Sequence, residues 1–286
     1  MSDLPATLGA MTTPVDPSPP GSPGPQGAQE PPPYDPSAAL SVRGLWKRFG
    51  QKVAVSGVSL DVPAGSFYGL VGPNGAGKTT MLSMATGLLR PDFGTAWVHG
   101  VDLWARPDEA KATLGVLPDG VRLFDRLTGR QLLAYAGMLR GMDKATVVER
   151  TADLLQAFDL GADADTFVVD YSAGMTKKIA LGSAMIHAPR TLVLDEPFEA
   201  VDPVSAANIR DILKGYVAGG GTVIVSSHVM DLVQRMCDHV AVLAAGQVLA
   251  AGTVDEVRGE QTLEDRFVDL VGGRQHSGGL SWLRGS

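Results

Sequence analysis

Gly72-Pro73-Asn74-Gly75-Ala76-Gly77-Lys78-Thr79-Thr80 fills the pattern G-x-x-x-x-G-K-[ST] at every fixed place. Ser66 to Val71, just before it, reads as a strand. Thr79 to Leu89, just after, reads as a helix with apolar residues at Met81, Leu82, Met84, Leu88 and Leu89. Strand, Gly-rich loop and helix in that order predict a phosphate-binding loop. Glycines let successive backbone N–H groups converge on an anion, and the helix start adds about half a positive elementary charge. Lys78 is placed to reach the β- and γ-phosphates of a nucleoside triphosphate, and the Thr79 hydroxyl to ligate Mg²⁺. All nine residues of the loop are candidates for nucleotide contact.

The chain has 286 residues, 44% of them apolar, enough for one large domain with a sizeable core. A net charge of −7 and no long basic run argue against nucleic-acid binding, which needs clustered Lys and Arg. Cys237 is the single cysteine, so no internal disulfide can form; a small core residue in a reducing compartment is expected. No apolar run approaches the roughly 20 residues of a membrane helix, and the N-terminus lacks a basic start with an apolar core. The expected location is cytoplasmic, with room for docking on a membrane protein.

Residues 1–38 hold more than half of the 19 prolines and few large apolar side chains, so a disordered tail is expected. Leu40 to Trp46 and Val53 to Val62 alternate like strands of a small antiparallel layer. Thr95 to His99 and Leu114 to Leu117 read as further strands. From about 123 to 170 the pattern is helical, with Val147, Val148, Leu154, Leu155 and Phe158 expected in the core. Thr191 to Leu194 and Thr222 to Val225 are apolar without alternation, as parallel strands buried on both faces would be. Pro203 to Val217 reads as a helix between them, and Val240 to Ala250 as a hairpin turning at Ala245-Gly246. The end of the chain, 273–286, reads as a flexible Gly/Ser-rich tail. The pattern is α/β with a parallel core.

Thr191-Leu-Val-Leu-Asp195-Glu196 ends a buried strand in two carboxylates. Mg²⁺ takes oxygen ligands and keeps several waters, so Asp195 is a metal-ligand candidate, and Glu196 a base for an attacking water. Tyr171-Ser172-Ala173-Gly174-Met175 precedes a helical run, which puts Ser172 and Gly174 at a helix N-terminus, a second candidate anion site.

The order of phosphate loop, serine-glycine turn, Asp-Glu strand and later histidine resembles an ABC-transporter nucleotide-binding domain over roughly residues 40 to 272. The variant Tyr171-Ser-Ala-Gly-Met175, where the family usually has Leu-Ser-Gly-Gly-Gln, and the closing segment Leu263 to Val268 resemble the ATPases of ABC-2-type drug and polysaccharide exporters. The resemblance implies a P-loop NTPase fold: a RecA-like core, an N-terminal antiparallel layer and an inserted helical subdomain. It implies ATP and Mg²⁺ as ligands, hydrolysis by Lys78, Glu196 and His228, and Phe49 as the ring that stacks on adenine. Asp202 would face the opposite subunit. Where the family commonly carries a glutamine reaching toward Mg²⁺ and the permease, this chain has Asp119, shorter and charged. At Ala173 a positive φ would cost energy that glycine avoids. The implied partners are a membrane permease and a second ATPase subunit, a further copy of this chain. His99, His187, His239 and His276 match no role.

Other assignments share parts of the pattern. A non-transport ABC ATPase would usually carry two cassettes or a long coiled-coil insertion. A catalytically weak half of a mixed pair would fit Asp119. A P-loop kinase would lack the serine-glycine turn, and a GTPase would need an Asn-Lys-x-Asp.

Overall fold

The computed structural model describes residues 32–271. The first 31 residues of the expected Pro-rich tail, and the Gly/Ser-rich end at 273–286, lie outside that range. Pro32 to Ser37 lie inside the expected tail and are exposed, yet they make specific contacts with the sheet. Tyr34 stacks on Trp97 with ring centroids 4.5 Å apart. Arg43 Nε donates to the carbonyls of Pro32 and Pro33, each at 2.9 Å. Composition hid this, because one aromatic ring suffices to seat a segment otherwise made of Pro and Ser.

Two sheets are present. Strands β1 (Leu40–Phe49), β2 (Lys52–Val62), β4 (Phe93–Val98) and β5 (Val101–Asp102) form a four-stranded antiparallel sheet in the order β2-β1-β4-β5. Strands β3 (Phe67–Val71), β6 (Leu114–Leu117), β7 (Thr191–Leu194), β8 (Thr222–Ser227), β9 (His239–Ala244) and β10 (Gln247–Thr253) form the second, in the order β10-β9-β3-β8-β7-β6. All its pairs are parallel except the terminal hairpin β9–β10.

Successive strand residues face opposite ways. Phe67 and Val71 of β3, Leu192 and Leu194 of β7, and Val223 and Val225 of β8 join one core. Tyr68, Leu70, Val193 and Ile224 join another. Both faces are covered, which is why these strands do not alternate in sequence. The first core is closed by α3 (Gly129–Leu139), α4 (Lys144–Ala157), α5 (Ala173–Met185), α6 (Pro203–Ala218) and α7 (Met230–Met236). The second is closed by α1 (Lys78–Ala85) and the antiparallel sheet. Three short helices, α2 (Pro107–Ala112), α8 (Val254–Arg258) and α9 (Leu263–Leu270), complete the described chain. Cys237 sits in the first core, and burial pushes its thiol up, as expected of a structural residue.

Two expectations fail locally. The first helix stops at Ala85 rather than Leu89. Thr86 Oγ1 turns back onto the Leu82 carbonyl at 2.8 Å, and Gly87 adopts φ 73°, a left-handed residue that ends the helix and leaves Leu88 exposed. Val148 is 62% exposed rather than core. The buried stripe of α4 runs Val147, Thr151, Leu155, spaced by four, and Val148 falls about 100° off it. Caps fix the two helices of the insertion. Thr128 and Gln131 form a reciprocal capping box on α3, and Asp143 accepts the Thr146 N–H on α4.

Candidate functional site

Parallel strands bring all their carboxyl ends to one edge, where the crevices of open α/β sheets lie. In register, Val71 sits beside Ser227, Val225 beside Leu194, and Leu194 beside Leu117. The next residues along are therefore neighbours: the loop from Gly72 after β3, His228 after β8, Asp195-Glu196 after β7 and Asp119 after β6. A cleft of about 380 Å³ opens there. It is lined by Asn74 to Thr80, Phe49, Asp119 and Glu196, and also by Lys52, Ala54 and Glu199. Gly72, Pro73, Asp195 and His228 adjoin these residues in sequence or by hydrogen bond without lining the cleft, and Ser172 and Gly174 are not part of it.

The phosphate loop is held from both sides. Gly246, in the β9–β10 turn, donates to the Ala76 carbonyl at 2.9 Å and accepts from Ser56 N–H at 2.9 Å. Gly77 carries φ 103°, and a Cβ there would stand 2.4 Å from the Ala54 carbonyl oxygen; only glycine fits. Gly77 precedes helix α1 and offers no side-chain cap, so the first N–H groups of the helix remain available to an anion. Lys78 is buried, its Nζ donating to the Gly72 carbonyl at 2.8 Å and lying 3.3 Å from Glu196 Oε1. Phe49 is half exposed at the end of β1, with Lys47 Nζ 5.8 Å from its ring centroid. It pairs with Lys52 across the β1–β2 hairpin, so both reach the cleft.

The carboxylate pair is arranged by a residue that the sequence reading passed over. Ser226 Oγ donates to Asp195 Oδ1 and accepts the Glu196 N–H at 2.9 Å. A fully buried serine in an apolar strand was the signal, since buried hydroxyls need partners. Glu196 has φ 47°, a left-handed conformation that costs about 1–3 kcal/mol for a non-glycine residue and gathers at functional sites. Its carboxylate lies between Lys78 and His228, with Oε2 3.2 Å from His228 Nδ1.

The serine-glycine turn stands apart. Ser172 caps α5 by accepting the Met175 N–H at 3.3 Å and is exposed. Gly174 is buried because α6 presses on it: a Cβ there would meet Asp202 Oδ2 and Ser205 Oγ, each at 2.6 Å. Asp202 caps α6, and the Ser205 amide, first among several hydrogen bonds, holds its carboxyl below the usual carboxylate range. Ala173 opens α5 without a positive φ, so the anticipated backbone strain does not arise.

The family model described as ABC transporter matches residues 55–199, slightly over half of the chain. The chain belongs to the ABC transporter family. This ABC subunit is 37% identical over 223 residues to the daunorubicin/doxorubicin resistance ATP-binding protein of Streptomyces peucetius, covering 78% of this chain and 68% of the relative. It is 37% identical over 217 residues to the Nod factor export ATP-binding protein I of Burkholderia lata, covering 76% and 71%. A solved ATP-binding subunit of an ABC transporter superposes with a TM-score of 0.76 at 28% identity, over 82% of this chain and 99% of that one. The fold is thus the ABC cassette, a P-loop NTPase, and the ABC subunit is an ATPase. Among the described residues of this ABC subunit, no helix is long and apolar enough to cross a membrane. His99 and His187 are half-buried and bonded to Thr191 Oγ1 and to the Leu114 carbonyl, each at 2.9 Å. His239 pairs with Asp238, and His276 lies outside the described residues.

Proposed function

We propose that this ABC subunit powers a separate membrane permease that exports its cargo, and that two copies close head-to-tail around two ATP molecules. One observation carries the reading. The cleft holds the phosphate loop, Asp119 and Glu196, whereas the Ser172–Gly174 turn, a second helix N-terminus, is not part of it. A second copy can present that turn to the outer face of a bound triphosphate. ATP then joins the two faces, and splitting it lets them part, a ligand-driven shift between closed and open states.

Within each site, the N–H groups of Asn74 to Thr80 and the Lys78 ammonium bind the phosphates. Glu196 takes the proton from the attacking water, and His228 braces it while reaching the γ-phosphate. The partner's Ser172 and Gly174 complete the enclosure of the anion. Among the described residues no three His, Cys, Asp or Glu gather into a metal cage. The donors at the cleft are one hydroxyl and two carboxylates, Thr79, Asp195 and Asp119, a set that fits Mg²⁺, which is bound through one or two carboxylates and substrate phosphates rather than by an all-protein cage. Thr79, Asp195 and Asp119 are the residues to hold it. Held there, Mg²⁺ would neutralise the negative charge of the phosphates during transfer.

Export is supported by the relatives, whose names describe drug resistance and Nod factor export. A permease is supported by an apolar face on α3. Tyr135, Met138 and Leu139 share one side of α3 and are exposed, and Phe124 meets Tyr135 edge-on at 5.3 Å. Patches of this kind on an otherwise polar surface mark interaction sites. The subunit would then sit on the inner face of the cell membrane, held by the permease. Affinity capture of the tagged chain from detergent-solubilised membranes is expected to recover a polytopic membrane protein in stoichiometric amount. Recovery of the chain with no such partner would count against the transport reading.

Phe49→Ala tests the adenine platform. Loss of a half-exposed stacking ring is expected to weaken ATP binding by about 1 kcal/mol, roughly fivefold. Thermal stability should not change, because half of the ring is already in water. Calorimetric titration checks it; equal affinities would remove Phe49 from the site.

A further inference from the structure

Glu196 is gripped by its backbone from two directions. Its N–H donates to Ser226 on β8 at 2.9 Å. Its carbonyl accepts the Glu199 N–H at 3.2 Å and, at 3.0 Å, the ammonium of Lys177. Lys177 lies on α5, five residues beyond Ser172. It is half-buried, forms no ion pair among the described residues, and gives its head to this one carbonyl. A lysine serving only as a solvated surface charge would not be committed to a backbone oxygen.

We propose that Lys177 is a positioning residue for hydrolysis, holding the Glu196 carbonyl so that the left-handed backbone, and with it the aim of the carboxylate, is kept. The physical need is plain. Glu196 holds φ 47°, which an unrestrained non-glycine residue leaves. Rotation of its peptide toward an ordinary conformation swings the Cα–Cβ bond and takes the carboxylate away from Lys78 and His228. The Glu199 N–H bond closes a turn over Pro197 but leaves one carbonyl lone pair free, and Lys177 fills it with a charge-assisted bond. The base of a chain is therefore aimed by that chain's own α5, the helix whose first turn carries Ser172 and Gly174. This inference rests on the reading of Glu196 as the general base.

The test uses the full chain with Lys177→Met, Lys177→Arg, Glu196→Gln and the double variant Lys177→Met/Glu196→Gln. Turnover, ATP affinity and melting temperature are measured separately. Lys177→Met is expected to lose turnover about tenfold or more, the worth of one hydrogen bond to a charged group. ATP affinity should stay at the parental value, the melting temperature should fall by no more than a few degrees, and Lys177→Arg should restore most of the turnover. In the Glu196→Gln background, Lys177→Met should cause no further loss, because the residue acts only through that carboxylate. A Lys177→Met chain turning over at the parental rate beside an inactive Glu196→Gln chain overturns the positioning role alone. An equal further loss in the double variant, or a loss wholly explained by weaker ATP binding, also overturns it. A Glu196→Gln chain at the parental rate overturns the base assignment, and this inference with it.

Discussion

Two chains that are each inactive are expected to regain ATP hydrolysis when mixed. The first carries Gly174→Ala. Its new Cβ would stand 2.6 Å from Asp202 Oδ2 and Ser205 Oγ, closer than real Cβ atoms pack, and a tight 3.0 Å from Ser205 Cβ. Asp202 is not free to yield, since its other oxygen caps α6. Helix α5 must therefore shift and carry the Ser172 turn out of place. Overpacking of this kind costs about 1–3 kcal/mol, a drop of several degrees in melting temperature by the usual scaling, and leaves a folded chain. The second carries Glu196→Gln and keeps its turn. In a mixed pair, the Gly174→Ala chain supplies Lys78 and Glu196, and the Glu196→Gln chain supplies Ser172 and Gly174. One of the two sites is then whole. Half of the pairs in an equimolar mixture are mixed, so about a quarter of the parental rate should return. No recovery on mixing would mean that each chain completes its own site, and the head-to-tail arrangement would fall.

Glu196→Gln alone should lower hydrolysis by about 10²–10⁴-fold, the ordinary worth of a general base. Glutamine keeps the shape of the side chain and the backbone bonds to Ser226 and Lys177, which do not involve the carboxylate. It cannot take a proton. The phosphate loop is untouched, so ATP should bind as before. With binding intact and hydrolysis blocked, the closed pair should accumulate and elute as a dimer on a sizing column when ATP is present. Parental turnover would remove Glu196 from the role. Parental affinity without a dimer would separate the chemistry from the closure.

Much of the site was legible because its parts are local. A phosphate loop needs glycines and a lysine at fixed spacing between one strand and one helix, and residues 66 to 89 supply all of that within a single unit. Asp195-Glu196 announced itself as two acids at the end of an apolar strand. Phe49, Asp119 and His228 were singled out only by the resemblance to the ABC family, which matches them by their order relative to these motifs. Errors arose where one residue decides a boundary. The left-handed Gly87 cut the first helix short, Val148 slipped off the stripe of α4, and Tyr34 drew part of the supposed tail onto Trp97.

The one-dimensional order of residues determined the α/β core, the phosphate loop and the identity of the charged groups, because each depends on chemistry contained within a few turns of chain. Only the folded sheet decided which of those groups cooperate. Ser226 bridges Asp195 and Glu196 from about thirty residues away, and Lys177 reaches Glu196 from a different helix. It likewise decided that Gly174 presses on α6 and that the serine-glycine turn stays out of the cleft. Such contacts are set by the parallel register of β7 and β8 and by the way α5 and α6 pack on them. Register and packing are properties of the whole core, and no short stretch of sequence encodes them.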